Sequence, residues 1–260
     1  MNGSGHNKSR IDFLVAGVQK AGTTALFSYL NQHPEIYIPE QKELHFFDTE
    51  EYFQNQSVDY SVYHRQFTPD SFQTMMGEVT PIYIYWSNSM KRIREYNPQI
   101  KVIVILRNPI TRAYSHWNME TGRGADHVSF FEAITTEKLR LSQARPLQHR
   151  VYSYVDRGFY VEQLRRVWSY FPVHRTLILR HEDLRNNPQA VMDRVFQFLG
   201  MANPINIEPR LERKGIYSEP MTTEAWNYLR QLYEQEINQL EQMLKWNCGN
   251  WLEYDKIGCT

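Results

Sequence analysis

The sequence is short of several things, and each shortage excludes a class of protein. It has two cysteines, Cys248 and Cys259, both near the C-terminus and without metal-ligand spacing. That is too few for a disulfide scaffold and the wrong pattern for a zinc module. A reducing cytoplasm suits them, with a late Cys248–Cys259 bridge left open. No run approaches the about 20 apolar residues of a membrane span, and residues 1–10 carry no apolar signal core. We therefore expect a cytoplasmic chain with no membrane span and a flexible polar segment over residues 1–10. The formal net charge is +0. A protein that grips a long polyanion by charge alone is excluded, and no nucleic-acid partner is expected. Repeats, low-complexity tracts and long linkers are lacking too. With 42% hydrophobic residues in 260, the chain can bury one sizeable core, and a single domain over 11–260 is the expectation.

What is present is concentrated between residues 11 and 34. An apolar run from Ile11 to Val15, broken only by Asp12, reads as a buried parallel strand ending at Gly17. From Thr24, Ala25, Leu26, Tyr29 and Leu30 fall on one helical face, and Pro34 closes the element. Strand, glycine-bounded loop and helix together aim backbone N–H groups and a helix dipole at an anion. The nucleoside-triphosphate loop places lysine directly after its second glycine. Here Gly17 and Gly22 keep the glycine spacing, Thr23 takes that lysine's place, and Lys20 lies inside the loop.

A second strand–loop–helix segment lies at 101–117. Val102 to Leu106 is a continuous β-branched and leucine run halted by Asn108-Pro109. A magnesium-dependent nucleotidase usually places an aspartate at such a strand end; this strand ends in Arg107, whose guanidinium forks onto phosphate oxygens without metal. Ser115 can add a hydroxyl from the following helix.

Together these segments resemble the sulfotransferases that use 3′-phosphoadenosine 5′-phosphosulfate, in the branch that includes heparan-sulfate-type and bacterial members. The resemblance runs from Ile11 to about Trp251. It implies an α/β fold, a P-loop-like doubly wound sheet with central parallel strands flanked by helices. It implies a donor co-substrate whose 5′-phosphosulfate is gripped by Lys20, Ala21, Gly22, Thr23 and Thr24, and whose 3′-phosphate is held by Arg107 and Ser115. A basic, glycine-containing loop, Arg213-Lys214-Gly215, completes that site in the family. The reaction implied is metal-independent sulfuryl transfer to a hydroxyl or amine of a saccharide or small-molecule acceptor, releasing adenosine 3′,5′-bisphosphate. A nucleotide kinase with a degenerate loop and a non-catalytic nucleotide-binding module are the alternatives.

Pro39 cuts the short strand Ile36–Ile38 and delivers Lys42, Glu43 and His45 close to the loop. In the family this segment carries the base, so Glu43 is the first candidate to take the acceptor proton, and His45 the second. Lys20 would neutralise charge on the leaving phosphate. Gly77-Glu78-Val79-Thr80-Pro81 has Val79 where heparan-type members carry a lysine; Glu78 and Thr80 are candidate site residues, Glu78 as a second base or acceptor ligand. Residues 50–76 are rich in aromatics and read as short helices and loops walling an acceptor site. Ser129–Leu141 reads as one helix. Arg140, Arg145, Arg150 and Arg157 would line an anionic groove or form a solvated face. Glu182 and Asp183 are given a structural role. Residues 223–245 read as the strongest helix of the chain, with Trp226, Leu229, Leu232, Tyr233, Ile237, Leu240, Met243 and Leu244 on one stripe that packs in the core. The acceptor's identity and the oligomeric state stay open.

Overall fold

A computed structural model describes residues 10–202, 204–208 and 220–254. Their backbone contacts separate two compact units. The first takes in the described residues of 1–106 and 166–212, and the second those of 107–165 and 213–260.

The first unit holds a five-stranded, wholly parallel sheet in the order β2-β3-β1-β4-β5. The strands are β1 (Phe13–Gly17), β2 (Ile36–Tyr37), β3 (Met75–Val79), β4 (Lys101–Leu106) and β5 (Thr176–Arg180). β1 and nearly all of β4 are buried, as expected of central parallel strands covered on both faces. Phe13 sits in register with Gly77. A Cβ at Gly77 would lie 2.3 Å from the Phe13 ring, so only glycine lets β3 come this close to β1. Helices α1 (Thr23–Leu30), α2 (Ser61–His64), α3 (Ser89–Tyr96), α8 (His181–Asn186) and α9 (Pro188–Leu199) belong to this unit. α9 starts with Asn187 capping the Ala190 amide and Pro188 in the first turn, and stops at Gly200 in the left-handed region.

The second unit is helical, with α4 (Pro109–Gly122), α5 (Phe130–Thr135), α6 (Glu137–Ser142) and α10 (Thr223–Leu244). Helix α7 (Tyr160–Tyr170) is cut by the division after Arg165. Among the described residues, no helix is long and apolar enough to cross a membrane.

Several sequence expectations need correction. The single helix over 129–141 is two, broken at Thr136. Thr135 and Thr136 turn their hydroxyls back onto the carbonyls of Phe131 and Glu132, which weakens the ladder there. Glu137 is buried and accepts the Val155 and Asp156 amides at 2.6 and 2.7 Å, so α6 must turn inward. Two of the four arginines expected in a groove or on a solvated face are internal ties. Arg140 bonds Asp126 and lies over the Tyr152 ring, while buried Arg157 bonds the Ser153 hydroxyl and the Arg150 carbonyl. Arg145 and Arg150 are exposed. On α10, Leu232 falls off the stripe and is exposed, and Ala225 takes a place on it. Cys248 is buried and makes no disulfide with a described residue. Cys259 and the Arg213-Lys214-Gly215 loop lie outside the described residues.

Candidate active site

The strand order sets the place of the site in the first unit. After β1 the chain moves to the β3 and β2 side; after β4 it moves to the β5 side. β1 and β4 therefore flank the topological switch point, where doubly wound sheets bind ligands at the strand C-termini. The loop after β1 starts there, with the Val18 amide donating to the Ile105 carbonyl at 2.9 Å. Lys20 takes a left-handed conformation at φ 72°, and Gly22, the N-cap of α1, does so at φ 93°. Having no side chain, Gly22 provides no side-chain cap for the first amides of α1. That is the arrangement an oxyanion uses at a helix N-terminus. His181, at the start of α8, packs on the loop with Nδ1 3.1 Å from the Ala21 carbonyl.

A second segment is fastened to this loop from below β3. The Glu43 amide donates to the Val79 carbonyl at 3.0 Å, which fixes the segment to the C-terminal end of β3. Lys42 then reaches the loop, its Nζ donating to Thr24 Oγ1 at 2.9 Å and lying 3.3 Å from Glu43 Oε1. His45 stands between two carboxylates, with Nδ1 2.9 Å from Asp48 Oδ2 and Nε2 3.6 Å from Glu43 Oε2. Asp48 is buried at the base of this row. Lys20, Thr23, Thr24, Glu43 and His45 thus belong to one connected region, with Asp48 and Lys42 supplying its charge balance.

The electrostatics separate the two candidate bases. The hydrogen bond with Asp48, then the interaction with Glu43, raises the His45 pKa to about 9, against the opposing effect of burial. His45 is therefore an imidazolium at neutral pH and has no lone pair to offer. Burial pushes the Glu43 carboxyl up, but the ion pair with His45 and the charge of Lys42 outweigh it and leave the pKa below the usual value. Glu43 is therefore ionised.

Backbone conformation marks the same residues. Among the described residues, four non-glycine positions have positive φ; three are Lys20, Glu43 and His45, and the fourth is Lys245 at the C-cap of α10. Each such position costs about 1–3 kcal/mol and persists where surrounding structure holds it.

Glu78 and Thr80 are buried and bonded to each other. Glu78 is 1% exposed, and its carboxylate accepts from the hydroxyls of Tyr63, Tyr83 and Thr80 at 2.5, 3.1 and 2.9 Å. The expected role of Glu78 as second base or acceptor ligand gives way to an internal one. Of the aromatics of 50–76, Tyr63 is buried, Phe53, Tyr60 and Phe67 are half-buried, and Tyr52 is exposed. Tyr63 stacks on Phe46 at 4.8 Å between centroids, packing beneath the Glu43–Asp48 segment, while Phe72 is exposed. Glu182 and Asp183 occupy the first turn of α8, where carboxylates suit the helix dipole.

In the second unit, Arg107 follows directly on β4 and its Nε donates to Thr111 Oγ1 at 3.2 Å. Asn108 caps α4 by accepting from the Ile110 amide at 2.9 Å, and Pro109 opens the helix. Ser115 is buried on that helix.

Reading the sequence alone missed Asp48, Tyr83 and His181. A signal existed for Asp48, since its three-residue spacing from His45 suits a local side-chain pair. Tyr83 and His181 act on residues 37 and 160 positions away, and no local pattern announces them.

Comparisons with known proteins bear on the family and the fold. The sulfotransferase domain family model matches residues 10–254. The human bifunctional heparan sulfate N-deacetylase/N-sulfotransferase 3 is 32% identical over 221 residues, covering 82% of this chain and 24% of that protein. Human heparan sulfate glucosamine 3-O-sulfotransferase 5 is 28% identical over 206 residues, covering 78% of this chain and 56% of its own length. The chain thus spans about a quarter of the first relative and just over half of the second. A crystal structure of a sulfotransferase from Alicyclobacillus acidocaldarius superposes with a TM-score of 0.82 at 24% identity, covering 94% of this chain and 99% of the other, which supports the fold. With a family match over nearly its whole length and a parallel sheet carrying the loop, the chain belongs to the sulfotransferase domain family.

Proposed function

We propose that this chain is a catalytic domain that transfers a sulfuryl group from 3′-phosphoadenosine 5′-phosphosulfate to a hydroxyl or amine of a saccharide or small-molecule acceptor. The observation that carries the reading is the connected row Thr24–Lys42–Glu43–His45–Asp48, which ties an ionised carboxylate to an anion-binding loop. The uncapped start of α1 and the Lys20 cation fit a 5′-phosphosulfate. Arg107 and Ser115 are assigned to the 3′-phosphate on the strength of the family resemblance, with Arg213, Lys214 and Gly215 beside them.

Each residue then has a defined task. Glu43 takes the proton from the acceptor hydroxyl or amine as the new bond to sulfur forms. The sulfur–oxygen bond to the 5′-phosphate breaks, and Lys20 with the α1 amides takes up the charge left on that oxygen. His45, held as a cation by Asp48, orients the Glu43 carboxylate and does not act as base. Such a displacement depends mainly on positioning and charge stabilisation. The named relatives include an N-sulfotransferase and a 3-O-sulfotransferase, so amine and hydroxyl acceptors are both represented among them. Val79, buried at the end of β3, puts an apolar side chain where heparan-type members have lysine, and this favours an acceptor of lower negative charge. The sulfotransferase family match favours this reading over a kinase-like one. A cytoplasm-like compartment suits the buried thiol of Cys248.

The test is to feed labelled donor with pools of saccharides, phenols and amines, and to find the sulfated product by mass. Glu43→Gln should lower turnover by about 10² to 10⁴ while adenosine 3′,5′-bisphosphate binds as to the wild type. Wild-type turnover by Glu43→Gln would remove Glu43 as the base.

A further inference from the structure

Glu78 is a fully buried carboxylate that the chemistry above leaves unused, and its hydrogen bonds have a direction. In its ionised form the carboxylate only accepts, and the hydroxyls of Tyr63, Tyr83 and Thr80 then all point their hydrogens at it. For Tyr83 this uses its one donor. Both lone pairs of that oxygen remain, and both are taken, by the Phe46 amide at 3.1 Å and the Phe47 amide at 3.4 Å. Those two amides lie between His45 and Asp48. The far side of the same turn is held too, since Ser89 Oγ and Arg92 Nη1 donate to the Phe47 carbonyl at 3.1 and 3.0 Å.

We propose that Glu78 and Tyr83 form an internal brace that positions the His45–Asp48 pair, and through it the Glu43 carboxylate, making both residues positioning residues for the transfer. The inference rests on the proposed role of Glu43, which is attached to the same strand end through its own amide on Val79. β3 thus grips the base segment twice: at Glu43 directly, and at Phe46–Phe47 through a tyrosine whose polarity Glu78 sets. Burial, the largest influence on Glu78, raises its pKa to about 7 against the lowering effect of its three hydroxyl donors. Protonation would give the carboxyl a hydrogen of its own and force one donor to turn away.

The brace is tested with a readout that global destabilisation does not mimic. The groups facing His45 are Glu43 and Asp48, so its titration midpoint, followed by NMR on imidazole-labelled protein, reports the pair's geometry. Tyr83→Phe leaves the Phe46 and Phe47 amides without their acceptor. In the folded variant the His45 midpoint should fall by more than one pH unit, while calorimetry finds adenosine 3′,5′-bisphosphate bound within about twofold of wild type. Glu78→Gln keeps an oxygen for Tyr83 to donate to, and on its own should retain most of the wild-type midpoint. An unchanged His45 midpoint in folded Tyr83→Phe overturns the proposal. Should that variant fail to fold, hydrogen exchange on the wild type decides. The Phe46 and Phe47 amides must be protected to the level of the β3 amides, and exchange at open-loop rates sinks the brace. The role of Glu43 fails separately, if Glu43→Gln keeps wild-type sulfation while Tyr83→Phe still shifts His45.

Discussion

The two strand-to-helix junctions look alike in sequence and are built to opposite plans. After β1, α1 is capped by a glycine with no side chain to offer, and its first amides are left for something else. After β4, α4 is capped by Asn108, whose oxygen takes the Ile110 amide, and Pro109 removes another donor. The first junction therefore adds open backbone amides to the side chains of Lys20, Thr23 and Thr24, whereas the second offers side chains alone: Arg107 before the cap and Ser115 along the helix. A loop that is to wrap an anion, as proposed for this one, cannot also satisfy its own amides. A junction that lends only side chains can be closed for stability.

Four measurements put this contrast to the test. The largest effect belongs to the open junction, where Lys20→Ala should lower turnover by about 10² to 10³, read as kcat in the labelled-donor assay. At the closed junction, Arg107→Ala should weaken adenosine 3′,5′-bisphosphate about ten- to a hundredfold by calorimetry, the size of a lost charge-assisted hydrogen bond. Adenosine 5′-phosphate should bind the variant as it binds the wild type. Equal losses with both nucleotides would show that Arg107 does not read the 3′ end. Next, Asn108→Ala should cost about 1–2 kcal/mol of stability in denaturant unfolding, because it removes a working cap and a bond to the Trp251 carbonyl. No such cap exists to remove at α1.

The smallest effect is in pH. The pKa of His45 is raised from 6.5 to about 9 in the folded chain. Its pairing therefore contributes stability in full below about pH 6.5, and that contribution is lost as pH rises through about 9. The melting-temperature gap between wild type and His45→Ala should be widest at pH 6 and should close by pH 10. A gap that widened with pH would mean that His45 is neutral in the folded protein. The lowered pKa of Glu43 acts in the other direction, stabilising above its unfolded value and fading as pH falls below it.

Much of the site was readable in one dimension because each junction is a contiguous stretch. Gly17, Lys20, Gly22 and Thr23 lie within seven residues, and their spacing alone separates this loop from the triphosphate-binding kind. The choice between Glu43 and His45 was not readable. It turns on Asp48, which local spacing brings close but only burial makes strong. Glu78 misled for the same reason. A glutamate beside a threonine at a strand end has the composition of a site, yet Tyr63 and Tyr83 close over it.

What the sequence determined by itself was the α/β architecture, the two junctions and the family. These follow from apolar periodicity and from glycine, proline and cation spacing along neighbouring residues. Which carboxylate is held ionised among cations, and which is walled in by hydroxyls, is settled by folding. A carboxyl group's protonation depends on how many neighbours replace its water, and those neighbours come from β3, from the Tyr63 turn and from Tyr83. Distance along the chain carries no record of that meeting.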